Sequence, residues 1–249
     1  MIDQRASAAG PTEPSGSEFR AAFHHELRDL ELDLQDMAVL ARNGLRRAVR
    51  AQVADDQALS AAVIAGDDEI ERRYLDIERR VLGLLARQAP VAGDLRLLTA
   101  ILHISLHLER IGDMGVNVAR INQLTPGMPR KQRVVLHLDE MAETSVWMVD
   151  LAMRAFRDRD ADGCRRLPLI DDRVDELTRS MLVALAASSP LGRLDWGVHL
   201  YEAARQLERA ADHAVDIAEQ VWFLVTGELV EFGGTARAPR PASAPATSP

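Results

Sequence analysis

Two segments of the chain carry oxygen-bearing side chains at a spacing that could bind a metal ion. Residues 108–119 read LERIGDMGVNVA, and residues 207–218 read LERAADHAVDIA. On a helix, positions i, i+4 and i+8 lie roughly on one face, so each segment would present three such side chains in a row. We call these the two acidic rows, and their members are Glu109, Asp113 and Asn117 in the first and Glu208, Asp212 and Asp216 in the second.

A second acidic pattern recurs with the first. Residues 66–71, GDDEIE, resemble residues 170–175, IDDRVD, and both place acids at i, i+1 and i+4. Acids that converge from two helices of each half could supply several oxygen ligands. Because the acidic rows contain no cysteine or histidine, such a site would favour Fe³⁺, Mn²⁺ or Mg²⁺ over zinc.

The acids have an alternative interpretation that the sequence leaves open. They could be solvated, or they could form salt bridges with Arg110 and Arg209. Two observations favour metal binding: the pattern is duplicated, and each acidic row continues a stripe that is apolar earlier in its helix. Charges that continue a buried stripe must be paired or must coordinate a ligand.

Several enzyme classes are excluded by missing motifs. A ferritin-like di-metal bundle needs Glu-x-x-His on two helices, and this sequence contains none. We expect no ligand role for His103, His107 or His213, because they point away from the acidic rows. There is no phosphate-binding loop, dinucleotide fingerprint or nucleophile elbow. The single cysteine, Cys164, is expected to be a bystander, and the sequence predicts no enzyme.

Composition limits the partners and the compartment. The 249 residues are 47% hydrophobic but only 4% aromatic, which suits a helical core of Leu, Val, Ile and Ala. A net charge of −8 argues against a nucleic-acid binder. We expect neither a secretory signal nor a membrane span, and we therefore expect a cytoplasmic protein that reaches the inner face of the membrane only through partners.

The pattern of apolar residues predicts an all-α protein of six long helices in two similar halves. The spacing of three and four residues is typical of long helices packed at shallow angles. Three positions bear on their bounds. Gly66 interrupts the apolar stripe of the second helix before Asp67 and Asp68, Pro168 could shift the start of the fifth helix, and Asp94 is a plausible cap for the third. The predicted helices cover about 18–53, 55–88, 94–124, 134–157, 161–188 and 194–226. Residues 1–17 and 233–249 are predicted to be disordered tails, and 125–133 a linker between a first unit, 18–124, and a second, 134–232.

The duplicated motif resembles that of the PhoU family of phosphate-transport regulatory proteins. The resemblance rests on residues 108–121, LERIGDMGVNVARI, and 207–228, LERAADHAVDIAEQVWFLVTGE, with support from 84–96, LLARQAPVAGDLR. It implies two tandem three-helix bundles related by pseudo-twofold symmetry, and multinuclear metal clusters. Carried over by position, both acidic rows become metal ligands. The second acidic pattern adds the secondary candidates Asp68, Glu71, Asp172 and Asp175.

The resemblance also implies a function. Family members couple the phosphate ABC transporter, through its ATPase, to a sensor histidine kinase, and they hold the phosphate-starvation response and phosphate uptake down when phosphate is plentiful. They commonly self-associate, so a homodimer is expected. The alternatives are a carboxylate-rich metal-storage or metal-dependent hydrolytic protein, and a purely structural helical scaffold.

The sequence departs from an internal repeat at two places. Residues 193–195, RLD, stand where the first half has residues 94–96, DLR, so a site that used Asp94 would not be duplicated. Asn117 is neutral where Asp216 is charged, so the two sites could differ in affinity.

Overall fold

Six long helices and two short ones form the part of the chain that this computed structural model describes, which is residues 16–128, 131–188 and 194–232. No strand occurs in these ranges. The prediction of an all-α protein with six long helices is confirmed. The helices are α1 Gly16–Ala54, α2 Gln57–Ala65, α3 Asp67–Gln88, α4 Ala92–Leu124, α5 Gln132–Asp158, α6 Ala161–Cys164, α7 Leu167–Ser188 and α8 Leu194–Thr226.

The predicted apolar stripes form the core. In α1 the buried residues follow one another at intervals of three and four, as in Leu27, Leu30, Leu34, Met37 and Ala41. This spacing keeps one face of a long helix against its neighbours. The stripes of both repeats join in one continuous cluster of buried apolar side chains.

The predicted helix over residues 55–88 is divided at Gly66, where the sequence showed an interruption of its apolar stripe. The chain forms α2, turns at Gly66 and restarts as α3. Asp56 caps α2 by accepting a hydrogen bond from the Leu59 N–H at 2.8 Å. Glycine is a poor helix former, and the run of acids from Asp67 favours a new helix N-terminus because it complements the helix dipole.

The second repeat is interrupted at the equivalent place. The predicted helix over 161–188 divides into α6 and α7. Pro168 is the second residue of α7, where a missing N–H costs nothing, and this confirms the expected shift of the helix start. Gly227 ends α8 as predicted: its φ is +78°, and its N–H donates to the Phe223 carbonyl.

The start of α4 differs from the prediction. Val91 occupies the N-cap position, and no side chain caps the helix there. Asp94 lies in the first turn instead, where its charge can still interact with the helix dipole. The expectation that Asp94 caps the helix is therefore wrong, although the helix begins within two residues of it.

The two repeats pack side by side through α1 against α5 and α4 against α8. Ion pairs support the α1–α5 contact, with Arg46 Nε at 3.0 Å from Glu143 Oε1 and Arg159 at 2.7 Å from Glu31 Oε2. The helices that carry the acidic rows, α4 and α8, therefore lie next to each other in the middle of the molecule. No described helix is long and apolar enough to cross a membrane.

Some predictions fall outside the described residues. They are the two tails at residues 1–15 and 233–249, the end of the fifth helix at Ser189 and Pro190, and the contrast between residues 193–195 and 94–96. Residues 16 and 17, which were predicted to belong to the first tail, begin α1.

Candidate metal centres

Helices α3 and α4 bring four acids together in the first repeat. Glu109 lies on α4, and burial raises its pKa, with further increases from Asp113, Asp67 and Glu71. Burial and the Asp113 carboxylate likewise raise the pKa of Asp67, which lies at the start of α3. We call Asp67, Glu71, Glu109 and Asp113 the first carboxylate cluster.

Helices α7 and α8 form the equivalent group in the second repeat. Burial raises the pKa of Asp171 to about 7, and Asp212 and Asp175 raise it further. Burial also raises the pKa of Glu208 against the opposing effect of Arg205. We call Asp171, Asp175, Glu208 and Asp212 the second carboxylate cluster.

Asp212 lies at the rim of that cluster. It keeps part of its surface open to solvent, yet the protein packed around it and the Asp175 and Asp216 carboxylates raise its pKa. Burial is the main cause of the raised pKa values in both clusters, and repulsion between the carboxylates adds to it. A bound cation would supply positive charge that offsets both effects.

Each cluster contains a buried carboxylate oxygen that accepts no hydrogen bond. These atoms are Glu109 Oε2 and Asp171 Oδ1. Glu109 Oε2 has only a distant contact with Arg110 Nε at 3.4 Å. A buried oxygen without a hydrogen-bond partner is rare in a folded protein and points to a missing ligand. With their oxygen-only ligands, the clusters fit a hard cation such as Fe³⁺, Mn²⁺ or Mg²⁺.

Arginines neutralise only part of this charge. Arg110 lies 3.2 Å from Asp113 Oδ2, as the salt-bridge interpretation predicts. In the second repeat the contact to Glu208 comes from Arg205. These pairs are partly exposed and therefore contribute little stability. They also leave the two buried oxygens without hydrogen bonds.

Two members of the carboxylate clusters, Asp67 and Asp171, were not among the ligands predicted from the sequence. The prediction named their neighbours Asp68 and Asp172. Asp68 is exposed, and Asp67 and Asp171 are the ones that interact with the acidic rows. The signal was available, because Asp67 and Glu71 are four residues apart, as are Asp171 and Asp175. That i, i+4 spacing is the one that places side chains on one helical face.

The third member of each acidic row contacts the opposite repeat. Asn117 Nδ2 donates a hydrogen bond to Gln206 Oε1 of α8 at 3.3 Å. Asp216 Oδ2 lies 3.4 Å from His107 Nδ1 of α4 and 3.2 Å from His213 Nδ1 of its own helix. In the internal repeat His107 corresponds to Gln206, so the two contacts are equivalent by pseudo-symmetry. The two histidines, expected to have no ligand role, therefore meet at the interface between the repeats.

The residues that follow α8, up to Phe232, lie beside the second cluster. The Phe232 N–H donates to Glu219 Oε1 at 2.6 Å, and burial raises the pKa of Glu219 to about 7. A cavity of about 330 Å³ lies between this segment and the helices. It is lined by Asp171, Asp212, Val215, Asp216, Glu219, Glu231 and Phe232.

Comparison with known proteins assigns the fold to a family. The PhoU domain model matches residues 34–121 and again residues 138–221. The chain is 30% identical over 217 residues to phosphate-specific transport system accessory protein PhoU homolog 1 of Methanothermobacter thermautotrophicus, covering 84% of this chain and 96% of that protein. The homolog 1 of Mycobacterium tuberculosis is 31% identical over 211 residues, covering 84% of this chain and 96% of that protein.

Solved structures agree with this assignment. The crystal structure of PhoU from Pseudomonas aeruginosa is 32% identical with a TM-score of 0.76, and the match covers 82% of this chain and 99% of that one. The fold is also that of the PhoU protein from Streptococcus pneumoniae, with a TM-score of 0.77 at 24% identity over 84% of this chain and 99% of that one. The chain belongs to the PhoU family, and it contains two copies of the PhoU domain.

Proposed function

We propose that this protein is a metal-binding, non-enzymatic regulator of phosphate transport. The observation that carries the proposal is the pair of carboxylate clusters, one in each PhoU repeat, each with a buried oxygen that accepts no hydrogen bond. Similar proteins are named as accessory proteins of a phosphate-specific transport system, which supports the regulatory part.

The proposed role of the clusters is to hold Fe³⁺, Mn²⁺ or Mg²⁺. Glu109, Asp113 and Asp67 would supply oxygens in the first repeat, and Glu208, Asp212 and Asp171 in the second. A bound cation would offset the burial and the mutual repulsion that raise the pKa values of these acids. Because the ligands of each site come from two helices, the cation would also fix α3 against α4 and α7 against α8.

Metal analysis tests the site assignment. We would compare the wild type with Glu109→Gln/Asp113→Asn, Glu208→Gln/Asp212→Asn and the control Asp139→Asn, which changes an exposed acid on α5. Each double variant should lose the metal of its own repeat, whereas the control should keep the wild-type content. Equal metal content in all four proteins would contradict the assignment.

Thermal unfolding provides an independent measurement of the same sites. A cation that binds only the folded state stabilises it by about 2.7 kcal/mol at a concentration one hundred times its Kd. We therefore expect Mn²⁺, Fe³⁺ or Mg²⁺ to raise the Tm of the wild type and of Asp139→Asn, and to raise it less in each double variant. A purely structural scaffold would show no such response.

The proposed regulatory role also concerns the proteins that this protein contacts. We propose that the protein contacts the ATPase of the phosphate ABC transporter and the sensor histidine kinase of the phosphate two-component system, acts as a homodimer, and reaches the membrane through these partners. Co-purification from cells grown in high and low phosphate tests the contacts directly. Recovery of neither partner in either condition would count against them.

A deletion strain tests regulation separately from metal binding. Loss of the gene should raise expression of phosphate-uptake genes in phosphate-rich medium, and the wild-type gene should restore repression. Unchanged expression after deletion would contradict the regulatory role. Full restoration by both double variants would show that the metal stabilises the fold and does not carry the signal.

A further inference from the structure

Three potential ligand atoms meet where α4 of the first repeat packs against α8 of the second. They are Nδ1 of His107, Nδ1 of His213 and Oδ2 of Asp216. The distances are 3.2 Å between the two nitrogens, 3.2 Å from His213 to Asp216, and 3.4 Å from His107 to Asp216. We call these residues the interface triad.

We propose that the interface triad is a transition-metal site, best suited to Zn²⁺, that joins the two repeats. Its chemistry differs from that of the carboxylate clusters, because two imidazoles and one carboxylate form a ligand set typical of zinc, whereas oxygen-only ligands favour harder cations. The proposal does not depend on the role in phosphate transport.

The spacing of the three atoms allows one ion to contact all of them. Zinc binds nitrogen and carboxylate oxygen at about 2.0–2.2 Å, which places tetrahedral ligands about 3.3–3.6 Å from one another. The three distances, 3.2, 3.2 and 3.4 Å, lie within about 0.1 Å of this range. In the metal-free protein the two shorter distances correspond to hydrogen bonds from His213 to His107 and to Asp216.

The surroundings support binding by neutral histidines. Burial lowers the pKa of His107 to about 4 despite the nearby Asp216 carboxylate, so its imidazole is uncharged at neutral pH. Metals bind the deprotonated nitrogen, so no proton has to be removed from this ring. The Asp216 side chain is 42% exposed, which leaves room for a water molecule as a fourth ligand.

The ligands of the triad come from both repeats, so a bound metal would link the repeats to each other. His107 belongs to the first repeat, and His213 and Asp216 belong to the second. The pseudo-symmetric position has Asn117 and Gln206, joined by an amide hydrogen bond, and Met114 in place of the second histidine. One of the two equivalent contacts therefore has two histidines and a carboxylate, and the other has none of these groups. A bound Zn²⁺ would add a cross-link between α4 and α8 on one side only.

The experiment is a titration of chelator-treated protein with Zn²⁺ by calorimetry and with Co²⁺ by visible spectroscopy. Variants are His107→Gln, which introduces the residue found at the pseudo-symmetric position 206, and His213→Gln. One control is His103→Gln, which changes an exposed histidine one turn from His107. The other is Glu208→Gln/Asp212→Asn, which disrupts the second carboxylate cluster. Metal-free melting curves establish that each variant folds.

We expect one tight Zn²⁺ site per chain, distinct from weaker binding at the carboxylate clusters, with the intense absorption bands of four-coordinate Co²⁺. Affinity at this site should fall at least 100-fold in His107→Gln and His213→Gln and should change less than threefold in His103→Gln, and the cluster variant should keep the Co²⁺ bands. Unchanged binding in the two triad variants would overturn the proposal. Loss of the Co²⁺ bands in the cluster variant alone would also overturn it, because it would assign the metal to the carboxylates.

Discussion

At the scale of single residues, Asp171 has the pKa that is raised to about 7 in the second cluster. Its Oδ1 is buried without a hydrogen bond, and its pKa is raised to about 7 by burial and by Asp212 and Asp175. In the unfolded chain the same group would titrate near 3.8. Between about pH 4 and pH 7 the folded protein therefore keeps Asp171 largely protonated, whereas the unfolded chain has lost this proton.

This difference predicts a pH-dependent effect of Asp171→Asn in metal-free protein. Since the folded pKa is raised, the wild type loses stability as pH rises from about 4 through about 7, whereas asparagine stays neutral. The stability of the variant relative to the wild type should be about 1 kcal/mol higher at pH 8 than at pH 5, after allowance for partial solvent exposure. The difference in Tm between the two proteins, expected to change by about 2–4 °C between the two pH values, measures this.

A second prediction at this scale concerns Cys164. The thiol is fully buried, its Sγ donates to the Asp160 carbonyl, and burial raises its pKa to about 12. Because the thiolate is the reactive form, a thiol reagent should modify Cys164 in denaturant and leave the native protein unmodified. Rapid modification of the native protein at pH 7.5 would contradict the bystander role expected from the sequence.

At the scale of the elements, the separation of α1 and α4 depends on Gly115. A Cβ atom at this position would lie 3.1 Å from the backbone nitrogen of Leu45 and 3.2 Å from the Gly44 carbonyl carbon. Both contacts are with the backbone of α1, which cannot move away as a flexible side chain can. The glycine therefore allows the helix that carries the first acidic row to pack closely against α1.

Gly115→Ala should destabilise the protein by about 1–3 kcal/mol, because the added methyl group forces α1 and α4 apart. Gly83→Ala is the matched control, since it also lies inside a helix but its Cβ would meet only the end of the Arg87 side chain at 3.8 Å. The control should gain roughly 0.5–1 kcal/mol from helix propensity. Urea unfolding of both variants measures the contrast, and equal stability changes would argue against tight packing at Gly115.

At the scale of the whole molecule, the α4–α8 contact joins the two repeats and contains a titratable group. His107 is half-buried and faces Asp216 and His213 from α8 and His103 from its own helix. Burial lowers its pKa from 6.5 to about 4. Between about pH 4 and pH 6.5 the unfolded chain therefore carries a proton on this histidine, whereas the folded protein does not.

Acid should weaken the contact between the repeats in the presence of a chelator. A depressed histidine pKa means that its contribution is present above about pH 6.5 and is lost as pH falls toward about 4. Relative to His107→Gln, the wild type should lose up to about 3 kcal/mol across this window. Unfolding free energies of the two proteins at pH 7.5 and pH 4.5 measure the difference, and parallel pH profiles would exclude His107 as the source.

The sequence by itself determined the helical class, the internal repeat and the acidic rows, because each depends on local spacing. Apolar residues at intervals of three and four lie on one face of any helix. The same holds for Glu109 and Asp113, which are one turn apart. Local chemistry also located the ends at Pro168 and Gly227. At Gly66 it showed an interruption of the apolar stripe but did not show that the helix ends there, because a glycine within a helical pattern is often tolerated.

Only the tertiary structure decided which side chains meet between helices. It left Asp68 exposed and Asp67 partly buried, and it buried one oxygen of Asp171, because the rotation of α3 and α7 depends on packing against α4 and α8. It also brought His107 and His213, 106 residues apart in the chain, to within 3.2 Å. No local spacing encodes that distance, since it follows from how the two repeats pack together.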